Sequence, residues 1–442
     1  MIDLHKPDYS GATVKIKEAA SLAPYEYGVE YGSPARGLWN IVHTAMLLPE
    51  SHQIYVCAQG CLRGVVLTAA EMGASSRFST IAVCENNVLD GDMEALIIEG
   101  VTDILNKLPK QPAAVLIFTS CIHHFMGCDL NYVYEKLRAR FPDIYFTDCY
   151  MNPIMRKTKT PPDPMTRSRL YSFLERRPAL DAKAVNIIGN NYPTEASSDF
   201  VRMLKSAGFT VREITACKSF DEYRKMAESS LNIAYMPAAL TAVKDLKERI
   251  GQDYIYLPLS YEAREIEENL DKLAARLKIP KIDTALLRAE AERALSYAAR
   301  LVGERPVVID YTATPRPLGL AELLLDHGIH VTRVYADQFI PEERPAFDRL
   351  REKYPELELT ATVHPKMGLL PRANASSLDE TIAIGQKAAY FTDTPHFVNV
   401  LEGGGFWGYD GIARMAEEIC EAVINEKDTK KIIQVKGWGC CC

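Results

Sequence analysis

Val56-Cys57-Ala58-Gln59-Gly60-Cys61 and Thr119-Ser120-Cys121-Ile122-His123-His124-Phe125-Met126-Gly127-Cys128-Asp129 carry most of the information in this chain. Each cysteine group stands where a hydrophobic run of strand length stops. Gln53-Ile54-Tyr55-Val56 precedes the first, and Ala113-Ala114-Val115-Leu116-Ile117-Phe118 precedes the second. In open parallel sheets, ligands bind outside the carboxyl ends of the strands. Thiolates gathered there suit an iron–sulfur cluster or another thiophilic metal, whereas Mg²⁺ and Ca²⁺ take oxygen ligands.

Outward from these stretches, strand-length apolar runs alternate with helical periods. Leu62 to Met72 has helical spacing, Phe78 to Val83 reads as a strand, and Asp92 to Leu108 has a strong helical period. A helix from Asp129 to Phe141 and a strand from Asp143 to Phe146 complete a unit over residues 33–155. Arg156-Lys157-Thr158-Lys159-Thr160-Pro161-Pro162-Asp163-Pro164 is basic, rich in proline and without apolar period, so it opens a linker and helix over 156–182.

A second unit, 183–302, starts with the strand-to-loop step Ala184-Val185-Asn186-Ile187-Ile188-Gly189-Asn190 and a helix around Ser197 to Ala207. Further strands are expected at Leu231 to Tyr235 and Asp253 to Leu257. A long charged helical region then runs from Tyr261 to Leu301, where Glu262, Glu265, Glu267, Glu268, Lys272 and Arg276 are expected to form a solvated face. A third unit, 303–425, starts at Arg305-Pro306-Val307-Val308-Ile309-Asp310-Tyr311. It ends with the glycine loop Gly403 to Gly411 opening a helix from Ile412 to Asn425. An extension over 1–32 and a cysteine-rich tail over 426–442 flank the three. The expected class is α/β: three Rossmann-like domains, each a parallel sheet flanked by helices, as loose repeats of one βαβ design.

The bulk composition excludes several functions. The chain has 442 residues, 47% hydrophobic and 25% charged, as ordinary globular proteins have. A formal net charge of −7 without a dense basic stripe argues against a nucleic-acid partner. No apolar run approaches the roughly 20 residues that span a bilayer, and Met1-Ile2-Asp3-Leu4-His5-Lys6 lacks a signal pattern. The expectation is a cytoplasmic protein without membrane contact. Eleven cysteines in that compartment read as metal ligands, redox groups or buried fillers rather than disulfides. Cys149, Cys217 and Cys420, in mixed apolar contexts, read as structural. Cys61 and Cys121, just past strand ends, read as functional.

Other chemistries fit less well. No Gly-x-x-x-x-Gly-Lys-Ser/Thr phosphate loop occurs. Gly403 to Gly408 satisfies Gly-x-Gly-x-x-Gly, but it comes late, and Phe406 and Trp407 would crowd a pyrophosphate. A cavity wall or a packing turn fits that loop better. Cys57, Cys61, Cys121 and Cys128 could supply four sulfurs to zinc, although such sites usually sit in small loop-rich modules. Cys121 with His123 or His124 would make a nucleophile–base pair, but neighbouring thiols count against it. The terminal Cys440-Cys441-Cys442 reads equally as a metal catch or as a terminus without a role.

Taken together, these residues resemble the nitrogenase component 1 superfamily over about residues 33–425. That group holds the paired nitrogenase subunits, a related cofactor scaffold, tetrapyrrole reductases and a nickel-tetrapyrrole cyclase. The resemblance is carried by Gln59-Gly60-Cys61 and by Ala82-Val83-Cys84 with its acidic loop to Asp90-Gly91-Asp92 and Glu99-Gly100. It continues through Thr119-Ser120-Cys121 with Gly127-Cys128-Asp129-Leu130, Asn186-Ile187-Ile188-Gly189, and Gly408-Tyr409-Asp410-Gly411.

The resemblance implies an iron–sulfur cluster, 4Fe–4S or larger, or one shared between subunits, with Cys61 and Cys121 as the best-matched ligands. It implies a homodimer or a heteromer with a paralogous component 1 subunit, reduced by an ATP-dependent iron–sulfur protein. The family's first cluster cysteine should fall near Ser33-Pro34-Ala35-Arg36-Gly37, which has none. Cys57 or Cys84 then replaces it, or the partner completes the site; Cys128 is a further candidate. Leu231 to Leu240 lacks the cysteine, and Phe397 to Glu402 the histidine, that hold nitrogenase's large cofactor, although His396 sits just outside. Dinitrogen reduction is therefore not expected. The chain resembles instead the tetrapyrrole-reducing or other nitrogenase-like members, reducing a tetrapyrrole or a small molecule. His123, His124, Asp129, His396 and Tyr409 are the candidate proton donors. The competing classes are a cluster-assembly scaffold, a non-catalytic partner subunit, and an ordinary NAD-linked dehydrogenase.

Overall fold

The computed structural model describes residues 11–26, 28–32, 41–152, 154–155, 158, 160–369 and 380–429. The stretch Ser33 to Gly37, most of the basic part of the 156–164 segment, and the Cys440–Cys442 tail lie outside them. The strands among the described residues are β1 (Thr13–Lys15), β2 (Ser51–Ala58), β3 (Phe78–Val83), β4 (Ala114–Ser120), β5 (Tyr145–Met151), β6 (Asp181–Ile187) and β7 (Thr210–Glu213). They continue with β8 (Ser229–Ala234), β9 (Tyr254–Tyr256), β10 (Val307–Asp310), β11 (Val331–Tyr335), β12 (Glu358–Thr360), β13 (Ile382–Ile384) and β14 (Phe397–Val398). They form three sheets, in the orders β3-β2-β4-β5, β7-β6-β8-β9 and β1-β12-β11-β10-β13-β14. Every pairing is parallel except that of β1 with β12. The α/β class with three helix-flanked sheets is borne out, with one antiparallel edge supplied by the N-terminal extension.

By the density of its internal packing the chain divides into two compact units. One takes residues 41–191 and 208–256 and holds the first two sheets; the other takes the described residues up to 32, 192–207 and from 257 onward, and holds the third. In the first unit, Ile54 and Val56 of β2, Ile81 and Val83 of β3, and Val115 and Ile117 of β4 point to one face. There they meet Ile97, Val101 and Leu105 of the helix Met93–Lys107, and Val133 and Leu137 of the helix Leu130–Arg140. Full burial of each such side chain is worth roughly 1.5–3 kcal/mol. Tyr55 and Phe118 turn to the other face and stack with centroids 4.3 Å apart.

The 156–182 segment contains a helix, Pro162–Arg169, followed by buried Leu170, Tyr171, Phe173 and Leu174. Arg167 donates to the Gly189 carbonyl at 2.8 Å, and Arg169 to Asp148 on β5 at 2.8 Å, so this segment ties the first two sheets together.

In the other unit, Asp310 ends β10 fully buried and accepts the N–H groups of Thr312 and Ala388, both at 2.6 Å. Gly385 passes so close that a Cβ would lie 2.5 Å from that carboxyl. The charged region after Tyr261 is two helices, Ala263–Leu277 and Ala285–Val302, broken by Lys278 in the left-handed region. Its charges are not all solvated. Glu265 pairs with buried Arg316 at 2.6 Å, and Glu267 accepts the Tyr409 hydroxyl at 2.9 Å. No helix among the described residues is long and apolar enough to cross a membrane.

Candidate functional site

In the first sheet the chain leaves β2 for β3 on one side and then returns for β4 on the other. The order reverses between β2 and β4, which makes the crevice outside their carboxyl ends the expected ligand position. Cys61 lies in the first turn of the helix Gln59–Glu71 that follows β2, and Cys121 opens the helix Cys121–Met126 that follows β4. Cys84 caps the helix Glu85–Asp90 that follows β3. Three adjacent strands thus each deliver one cysteine at the same sheet edge.

The β3 and β4 connections are built alike. Each strand runs into a six-residue helix that ends on a left-handed glycine, Gly91 (φ 67°) or Gly127 (φ 66°), before the next long helix. A left-handed residue closes a helix without strain when it has no Cβ. At each head, the side chain three residues on reaches back to the strand's end. The Cys84 N–H donates to Asn87 Oδ1 at 2.9 Å, and the Ser120 N–H donates to His123 Nδ1 at 3.2 Å. The stretch expected as an acidic loop to Asp92 is therefore a short capped helix.

Cys61 and Cys84 are exposed and Cys121 is half-buried. The same two short helices expose Leu89 (81%), Phe125 (71%) and Met126 (43%). Large apolar groups displayed together mark surfaces that meet another protein. Cys128 follows Gly127 half-buried, and burial pushes its thiol up. Cys57 is different: it lies within β2, fully buried, among the strand residues facing away from Ile54 and Val56. Cys149 and Cys420 are buried, and Cys217 donates its thiol to the Glu213 carbonyl at 3.3 Å. Among the described residues, no three His, Cys, Asp or Glu side chains form a group able to hold a metal ion. The cysteine edge supplies soft donors, but among the described residues not a closed set.

Of the expected proton donors, His124 and Asp129 are exposed beside this edge, and Asp129 caps the next helix by accepting the Tyr132 N–H at 3.1 Å. His123 is 2% exposed, and burial lowers its pKa, so the ring is neutral. With Nδ1 accepting from Ser120, the proton sits on Nε2, and Nε2 has no partner among the described residues. An unanswered buried donor costs about 1–3 kcal/mol. His396 and Tyr409 belong to the other unit. There His396 Nδ1 meets the Ala422 carbonyl at 2.9 Å, and the Tyr409 hydroxyl is held by Glu267.

A cavity of about 550 Å³ opens at the carboxyl ends of β4 and β5, walled by His123, Cys128, Tyr150, Asn152, Met165 and Arg169 among others. Tyr150, Asn152 and Arg169 were missed by sequence reasoning, because the strand was expected to stop at Phe146 while β5 runs on to Met151. The β-branched and aromatic character of Tyr145 to Tyr150 was the available signal.

The late glycine loop is a packing turn. A Cβ on Gly405 would lie 2.1 Å from the Pro193 carbonyl oxygen, and one on Gly408 (φ 88°) would lie 2.5 Å from Asp199. The following helix head is already capped by the Asp199 carboxylate, where a pyrophosphate would have to sit. Trp407 stacks on Phe200 at 3.8 Å.

The nitrogenase described as "Nitrogenase Cp1 at pH 6.5" superposes with a TM-score of 0.66 at 13% identity, over 92% of this chain and 96% of that one. "Nitrogenase Cp1 at pH 5" gives 0.62 at 12% identity, over 94% of each. At such identities the likeness concerns the fold. No curated protein sequence matches the chain. Residues 43–424 match the family described as Nitrogenase component 1 type Oxidoreductase, and with most of its length so matched the chain belongs to that family.

Proposed function

We propose that this chain is a component 1-type subunit whose Cys61, Cys84 and Cys121 hold an iron–sulfur cluster completed by a second subunit, and that it receives electrons from an ATP-dependent iron–sulfur protein to reduce a small molecule or a tetrapyrrole. The observation that carries this reading is one cysteine at the head of each element following β2, β3 and β4, across the point where the strand order reverses. The unclosed donor set and the apolar Leu89, Phe125 and Met126 beside it support a site shared with another copy or a paralogue. The given sequence carries no phosphate loop, which suits a receiver of electrons better than the ATPase.

A cluster bound there supplies one-electron storage at a potential set by burial and hydrogen bonding. The chain's own residues fix the sulfur positions through the Asn87 and His123 caps. His124 and Asp129 are the exposed proton-bearing groups on that edge. Cys128 and Cys57, with sulfurs more enclosed, are the reserve ligands should the set need a fourth.

The test is iron and acid-labile sulfide per chain with an EPR spectrum, on protein purified without oxygen, before and after addition of a nitrogenase-type iron protein and MgATP. Reduction of the signal supports the reading. Transfer of metal to an acceptor without reduction would place the chain among assembly scaffolds. Colourless, iron-free protein that is folded and paired would sink both.

A further inference from the structure

The cavity beside the cysteine edge has its own chemistry, which differs from that of the thiols. Two of the residues in its wall carry buried N–H groups that no described residue answers. One is His123 Nε2–H; the other is Nε–H of Arg169, whose Nη2 is engaged with Asp148. None of the residues forming the wall is acidic, and Arg169 is a permanent cation. The nearby carboxylates are already engaged. Asp148 accepts from Arg169 and from the Tyr150 hydroxyl at 2.6 Å, and Glu94 accepts the Asp129 N–H at 2.8 Å. The rest of the wall is mixed: Leu130, Ile154, Met155 and Met165 give it an apolar, soft side, and Ser120, Asn152 and Thr158 a polar one.

We infer that this cavity binds a carboxylate-bearing small molecule with a compact apolar body, the carboxylate accepting from His123 and Arg169 and the body lying against the methionines. Two unanswered donors, one of them on a guanidinium, favour a group with two anionic acceptor oxygens over a neutral carbonyl. The volume of about 550 Å³ falls in the range of small-molecule sites. The His123 cap links the two sites: the ring that orients the Cys121 helix head also presents its other nitrogen to this ligand. As a binding site the cavity stands by itself; as the substrate site it rests on the reductase reading above.

The test titrates the full-length, anaerobically purified protein with benzoate and, separately, with benzamide, by calorimetry, and follows the His123 ring nitrogens by ¹⁵N NMR. Benzoate should bind saturably and at least about tenfold more tightly than benzamide, the usual worth of a charge-assisted hydrogen bond. It should also shift the His123 Nε2 resonance. His123→Phe and Arg169→Met should each weaken benzoate about tenfold. Met165→Trp, which fills the cavity without touching either donor, should abolish binding while leaving the melting curve in place.

Equal binding of acid and amide, no saturable binding, or binding indifferent to all three variants overturns the inference. Iron and EPR are read on the same samples. A normal cluster signal without carboxylate binding removes the inference and spares the proposed function. Carboxylate binding in a chain that takes up no iron does the reverse.

Discussion

Oδ2 of Asp199 accepts the backbone N–H of Tyr409 at 2.5 Å, so a buried carboxylate from one helix holds the head of another, Tyr409–Ile424, far along the chain. It also takes the Asp410 N–H at 3.2 Å, while Arg202 pairs with its other oxygen at 3.0 Å. Asp199→Ala should cost about 1–2 kcal/mol, the usual worth of a helix cap. Gly408→Ala should cost more, since it adds a Cβ against that carboxylate at a backbone angle side chains avoid. Urea unfolding under anaerobic conditions measures both. A Gly408→Ala protein as stable as the parent would show that the loop has room to shift.

The cysteines separate by position. Cys84→Ser should strip iron from the purified protein, as should Cys61→Ala and Cys121→Ala. Cys57→Ala, inside β2, should keep its iron and lose about 1 kcal/mol through the small void it leaves. Cys217→Ala should leave the iron untouched. If Cys57→Ala abolishes the metal and Cys84→Ser does not, the ligand assignment must be exchanged between them.

Much of this was legible beforehand, and the limits are physical. Strand-length apolar runs such as Val115 to Phe118 announce parallel strands because both faces are covered, whereas the strand order within each sheet came only with the structure. The cysteine edge could be read for the same reason: Cys61 and Cys121 lie directly after such runs. A helix was legible within 156–182, but not its anchoring role, since prolines and arginines mask a segment whose Arg167 and Arg169 are spent on the Gly189 carbonyl and Asp148. The cavity was hidden too, because the tertiary fold alone brings Arg169 and His123 into one wall.

Glu343 makes stability depend on pH. It is fully buried, and burial pushes its carboxyl up to about 8, against the pull of the Gly319 N–H, Arg316 and the Leu318 N–H. A folded pKa above the unfolded one means that its contribution is complete below about pH 4.5 and is lost as pH rises towards about 8. Each pH unit in that window is worth up to about 1.4 kcal/mol. Glu343→Gln keeps an oxygen for the Leu318 and Gly319 N–H groups and removes the ionisation. Chemical denaturation at about pH 5 and about pH 8 should therefore show a smaller difference for the variant than for the parent. Identical pH profiles would mean that Glu343 ionises without penalty.

Leu89 and Phe125 test the shared interface. Replacing both by Asp leaves the interior untouched, since both are exposed. The double variant should sediment as a smaller species than the parent and carry less iron, with an unchanged circular dichroism spectrum. A parent that is already monomeric and yet iron-loaded would remove the need for a second subunit.

If Cys84 and Cys121 hold metal as proposed, the caps at Cys84 and Ser120 set the order of events during maturation. In a zinc finger the metal folds the peptide that binds it. Here strand ends, reverse hydrogen bonds and left-handed glycines have already fixed both turns on a packed core, so under the proposed assignment an arriving metal would find its sulfurs in place. Loading would then be a question of delivery and of pairing with another chain, and empty subunits would wait, folded, until both are at hand.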